Sequence, residues 1–277
     1  MDLGFLLDPL QFAFMQRALL AVLLIGLVSG VIGSFVVVRG MAFFGDAVAH
    51  GTLPGVAVAY IMGQTLFLGG LIAGVAVALG IGWLTREGRL KEDTAIGVVF
   101  AGMFALGIAI ISTARSYSVD LAHILFGNVL GVSDTDLLIM AVCGAVVVLT
   151  IVALYKEFLI LSFDPTLART LHLPDGALRL LLLVLLAVTV VASLQTVGVA
   201  LMVAMLVTPA ATAQLLARRL HHMMILAAAL GALSGVVGLY LSFYLNIASG
   251  PAIVLITTIL FVVSFVGSRL LGHAEPA

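Results

Sequence analysis

The sequence predicts an all-α polytopic membrane bundle of about eight or nine transmembrane helices, and three observations carry that prediction. Of 277 residues, 63% are hydrophobic and 9% are charged, whereas a soluble domain carries roughly 25% charged residues. The mean hydropathy is +1.32. The charges fall between apolar runs of about 20 residues, the length a helix needs to cross a bilayer. Spans and short joins use up the chain, which reads as one transmembrane unit over 1–277 with no room for a soluble catalytic domain. A net charge of −1 argues against a nucleic-acid partner. The one cysteine, Cys143, lies in an apolar run, which excludes an internal disulfide and a thiolate metal cluster.

In chain order, spans are expected near 14 to 37, 43 to 62, 65 to 84, 94 to 112, 137 to 155, 178 to 196, 199 to 216, 223 to 245 and 251 to 268. The N-terminal MDLGFLLDPLQF carries Asp2 and Asp8 but no Lys or Arg before Arg17. It therefore lacks the positive start of a secretory signal peptide, and the first apolar run reads as a mature span. Orientation follows from where Lys and Arg collect. With the N-terminus outside, Arg39, Arg86, Arg89, Lys91, Lys156, Arg169, Arg179, Arg218, Arg219 and Arg269 share the inner side, and Arg17 and Arg115 the outer. The C-terminus is then cytosolic. That parity requires two passes between 178 and 216, broken near SLQTVG. Small residues four apart, Gly26 with Gly30, Gly70 with Gly74 and Gly231 with Gly235, suit close helix packing in lipid.

The second span contains the chemistry. Asp46 and His50 stand four residues apart in MAFFGDAVAHGTLPGVAVAYIMG, so a helix places both on one face. Ionisable groups inside a bilayer are costly and are functional candidates by default. A carboxylate with an imidazole suits Mn(II), Fe(II) or Zn(II), and two ligands without thiolate make a site weak enough to release its ion. An imidazole ligates metal only when deprotonated, so protons compete with the ion there. The alternative is a structural Asp-His hydrogen bond.

Two joins are unlike simple turns. The external one, STARSYSVDLAHILFGNVLGVSDTD, is too polar to span and too apolar to hang free, and ILFGNVLG reads as a short helix at the membrane surface. Its Asp120 and His123 are candidates to meet an incoming cation or a docking protein. The internal one, from Tyr155 to Leu178, contains a short capped helix with Asp164 as N-cap, Pro165 at the first helical position and Pro174 beyond the end. Leu167 and Leu171 form its apolar edge, which needs either the chain's own bundle or a groove on a cytosolic partner. No G-x-x-x-x-G-K-[ST] loop is present, and Lys91 and Lys156 lack a glycine-rich frame, so energy for uphill transport must come from elsewhere.

Taken together, RGMAFFGDAVAHGTLPGVAVAY, ILFGNVLG, FDPTLARTLHLP and TVGVALMVAMLVTPAATAQLLARR resemble the ABC-3 family of bacterial permeases. Those are the membrane subunits of ATP-binding-cassette importers for manganese, zinc and iron(II). The resemblance implies a type II ABC importer-like fold in the bacterial cytoplasmic membrane. It makes Asp46 and His50, which match the family's GD-xxx-H pattern, candidate metal ligands. It makes residues Asp164 to Leu173 a coupling helix, with Asp164, Pro165, Leu167, Ala168 and Leu171 facing an ATPase subunit. Related vitamin B12 and siderophore permeases carry Leu-Gly where this chain has Leu171-His172. Met202 and Met205, ahead of Thr208-Pro209, are core packing or soft contacts.

The partners implied are a second permease copy or a paralogue, two cytosolic ATPase subunits that hold the ATP, and an extracytoplasmic metal-binding protein. The cargo implied is Mn2+ first, then Zn2+ or Fe2+, with no covalently bound cofactor and no hydrolysis by this chain. The rival readings are a gradient-driven secondary carrier, which would not need Leu167 and Leu171, and a membrane metalloenzyme, for which the ligand set is too sparse.

Overall fold

The computed structural model describes residues 8–86, 90–113 and 129–270. Asp120 and His123 lie outside these residues. Among the described residues the helices are α1 (Ala13–Val38), α2 (Phe44–Gly51), α3 (Leu53–Ile61), α4 (Leu66–Leu84), α5 (Glu92–Thr113), α6 (Asp134–Ala153), α7 (Tyr155–Phe163), α8 (Pro165–Thr170), α9 (Asp175–Val197), α10 (Val199–Leu216), α11 (Leu220–Leu245) and α12 (Ser249–Leu270). Eight of them are long and apolar enough to cross a membrane.

The sequence places one continuous span at 43 to 62, and here the structure differs. The segment is two short helices, α2 and α3, meeting at Thr52. The cause is local. Pro54 has no N–H to donate to the carbonyl of His50, while Pro suits the first turn of a new helix. Thr52 Oγ1 turns back onto the Ala49 carbonyl at 2.6 Å. At 1.5 Å per residue the two pieces together still reach about 27 Å, close to the thickness of a hydrocarbon core. The internal join also holds more structure than expected, because α7 precedes the short helix α8.

Between α9 and α10 stands one residue, Gly198, at φ 79°, ψ 170°, a conformation essentially reserved for glycine. The reversal is therefore abrupt. Just before it, Thr196 Oγ1 reaches Met140 Sδ at 3.7 Å. Met140 is six residues into α6, so the α9–α10 apex sits about 9 Å below the end of that helix.

Helix α1 lies at the centre, packed on α6, α10 and α11. Its contact with α11 is antiparallel and very close: a Cβ added at Gly26 would stand 2.6 Å from the Ala232 backbone nitrogen, and one at Gly30 would overlap Ala228. In lipid such backbone approach supplies the packing that apolar transfer cannot. Three buried hydroxyls are satisfied locally, Ser34 on Gly30, Thr189 on Leu185 and Thr257 on Ile253, each donating to a carbonyl one turn back, while the buried Ser29 hydroxyl has no partner.

Charge clusters mark the two ends of α1. At its start Arg17 forks onto Asp134 of α6, with contacts of 2.7 and 2.9 Å, in an exposed bidentate pair. At its end Arg39 and Arg179 of α9 converge on Glu92 of α5 in a largely buried triad. Burial lowers the Arg39 pKa from its ordinary value, and Glu92 opposes that shift. The starts of α1 and α6 thus share one end of the bundle. The end of α1 and the starts of α5 and α9 share the other.

Candidate functional site

The site is built on α2. Asp46 lies in the first turn of this eight-residue helix, the end where the helix dipole favours a carboxylate, and His50 lies in the last turn. The 3.6-residue period brings them together, with His50 Nε2 3.5 Å from Asp46 Oδ1. Two ligands each about 2.1 Å from a shared divalent ion stand that far apart at a ligand–metal–ligand angle of roughly 110°. The pair is therefore spaced for one ion without rearranging the backbone.

Aromatic rings from α5 hold the imidazole. Phe100 and Phe104 meet it edge to face, with centroid distances of 5.7 and 5.5 Å. His50 Nδ1 is buried with no hydrogen-bond partner. A buried polar atom without a partner is costly, and here it is the ring nitrogen other than the one that faces Asp46. Asp46 opens into a groove of about 390 Å³ lined by Ala42, Phe43, Val203, Ala204, Val207 and Thr208. One wall is thus the first turn of α2 with the two residues before it, and the other is α10. Glycine at position 45 admits this approach, since a Cβ there would meet Leu206 Cδ2 at 2.9 Å.

Among the described residues no third His, Cys, Asp or Glu joins the pair. Met202 and Met205 are fully buried core residues, while Thr208 lines the groove beside Pro209 inside α10. Sequence reasoning did not find Phe100 and Phe104. Their four-residue spacing was visible, but nothing local says that α5 packs on α2.

The second candidate element, α8, lies toward the Arg39 end of the bundle. Asp164 caps it by accepting from the Thr166 and Leu167 N–H groups at 3.1 and 2.9 Å. The helix proper is shorter than Asp164 to Leu173, ending at Thr170. Leu173 N–H donates to Ala168 O, and His172 N–H to Arg169 O, the pattern that closes a helix through a left-handed residue. That residue is His172, at φ 54°, where glycine would be unstrained. Ala168 turns fully inward, against the chain's own bundle. Leu167 and Leu171 turn outward, 43% and 53% exposed.

Comparison with known proteins places this architecture. The model of the ABC 3 transport family matches residues 11–268. The manganese transport system membrane protein MntC of Listeria monocytogenes is 51% identical over 262 residues, 94% of this chain and 93% of that protein. The manganese import system permease protein ScaB of Streptococcus parasanguinis is 44% identical over 255 residues, 92% and 91% of the two chains. The solved structure of PsaBC from Streptococcus pneumoniae in complex with Fab superposes with a TM-score of 0.83 at 42% identity, covering 96% of this chain and 95% of that one. With the all-helical bundle, the kinked second segment and the capped internal helix already in place, these matches show that the chain belongs to the ABC 3 transport family.

Proposed function

We propose that this chain is the permease subunit of an ATP-driven importer of divalent transition metal, manganese first and zinc or iron(II) next. It provides the pathway, with the Asp46–His50 pair as the ion's contact inside the membrane. The observation that carries this reading is the pair itself: 3.5 Å apart, one imidazole nitrogen buried without a partner, and the carboxylate facing a groove. The names of the similar proteins, manganese transport and import permeases, support the choice of metal.

The same carboxylate argues for a second permease copy or a paralogue. Asp46 is 42% exposed on the single chain, and an ionised carboxylate left against lipid within a membrane span is costly. A second subunit across the α2–α10 face replaces lipid with a shared aqueous path. The exposed Leu167 and Leu171 on α8 serve as the contact for a cytosolic ATPase, and an extracytoplasmic metal-binding protein delivers the ion. The clustering of Lys and Arg supports a bacterial cytoplasmic membrane with the N-terminus outside and the C-terminus in the cytosol. ATP hydrolysis then belongs to the partner, and this chain contributes the pathway and the lever.

The test is uptake of radiolabelled manganese and zinc into proteoliposomes holding this chain with its ATPase and binding protein. Wild type is compared with Asp46→Ala and His50→Ala. ATP-dependent uptake that collapses in both variants, with the complex still assembled, is the expected result. Uptake that persists without the ATPase would point instead to a gradient-driven carrier.

A further inference from the structure

We propose that Glu92 is a positioning residue that transmits movement of the internal helix α8 to the metal-bearing helix α2, by holding Arg179 and Arg39 on one carboxylate. The inference rests on the permease reading above. It is carried by a physical chain of contacts that spans the interval between the two functional helices.

The chain starts at α8. Arg169 lies 3.4 Å from Asp175 in the first turn of α9, and the buried Ala168 fastens α8 to the bundle. One turn further along α9 stands Arg179, which reaches Glu92 Oε1 at 2.6 Å and the Thr85 carbonyl at 3.2 Å. Arg39 Nη2 reaches the same Oε1 at 2.9 Å. Arg39 caps the end of α1, where Met41 N–H donates to Val36 O and Gly40 N–H to Val37 O, a closed corner leading straight into α2. Displacing Arg39 therefore moves the start of α2, where Asp46 lies in the first turn.

The triad is incompletely paired. Two guanidinium groups share one oxygen, and Arg39 Nη1 and Arg179 Nε are buried without acceptors. The cluster carries two positive charges against one negative. The Arg17–Asp134 fork at the opposite end of α1 shows the saturated alternative, one cation on both oxygens of one carboxylate. A buried cluster with unmet hydrogen bonds favours any small helix shift that meets them, for example one arginine on each oxygen of Glu92. That gives the inner end of the bundle two discrete arrangements for ATPase closure to bias.

The test uses the full complex with Arg179→Gln and Arg39→Gln, each of which leaves a charge-neutral pair and so a foldable cluster. Three quantities are read: Mn2+ binding by electron paramagnetic resonance, ATP hydrolysis, and metal ions taken up per ATP. Both variants are expected to bind Mn2+ and hydrolyse ATP within about 2-fold of wild type, while ions per ATP fall about 10-fold, as loss of a typical coupling energy predicts. Arg179→Lys, which returns a charge to Oε1, is expected to recover part of the ratio. An unchanged ratio in both variants, or uptake and hydrolysis falling in equal proportion, would overturn the proposal. Failure of the permease reading is seen separately, in wild-type uptake that ignores the ATPase.

Discussion

Helices α2 and α8 break the same rule in opposite directions. In α2, Asp46 and His50 put ionisable groups within a segment that is otherwise apolar. In α8 and at its C-cap, Leu167 and Leu171 put apolar groups on an exposed edge at the Arg-rich end of the bundle. Each arrangement is unfavourable for an isolated chain, and each is held by a well-made local frame. The α2 pair is framed by Phe100 and Phe104 and by a helix break at Thr52; α8 is framed by the Asp164 cap and the turn at His172. The difference teaches what each helix is for. On the reading proposed above, the polar pair in the apolar segment serves a polar cargo and the exposed apolar edge serves a protein surface.

The sharpest way to break the comparison is to remove polarity from α2 while keeping its shape. Asp46→Asn and His50→Gln are expected to reduce manganese uptake by more than the ~10- to 100-fold that loss of an outer-shell partner costs a metal site. Assembly with the ATPase, read by size-exclusion chromatography, should be intact. Reversing α8 comes next. Leu167→Asp with Leu171→Asp should lower ATPase association and uptake by about 10-fold or more, as removal of interface anchors does, with Mn2+ binding unchanged. If metal binding fell instead, α8 would be part of the ion site and the contrast would fail.

Smaller effects test the frames. Asp164→Ala removes the acceptor for two backbone N–H groups and should cost about 1 kcal/mol of local helix stability. Amide hydrogen exchange in α8 should quicken and uptake fall several-fold. The mildest change is His172→Gly, which relieves a left-handed non-glycine residue worth at most about 1 to 2 kcal/mol. Slower exchange at Leu173 with uptake within about 2-fold of wild type is the expected outcome.

Much of this could be read from residues alone, and the reasons are local. The 3.6-residue period places Asp46 and His50 on one face wherever the helix goes. Asp164-Pro165 starts a helix by its own side-chain chemistry, and Gly198 admits a reversal that other residues resist. Apolar runs of bilayer length announce spans without reference to their neighbours. The one misreading of a span, 43 to 62, came from the same local view: hydropathy is blind to the hydrogen bond that Pro54 cannot make, and the run looks continuous.

Sequence by itself determined the class of protein, the order of its spans and the two helices that carry unusual residues, because composition, periodicity and capping act within a few residues. Tertiary structure alone decided which distant groups meet. Phe100 and Phe104 flank His50, α10 closes the groove beside Asp46, and Ala168 turns inward while Leu167 and Leu171 turn out. Arg39, Glu92 and Arg179, separated by 53 and 87 positions along the chain, share one oxygen atom. Nothing near any of the three predicts the other two. Such pairings follow from how helices pack, through the close α1–α11 contact and the turn at Gly198, and packing is a property of the whole bundle.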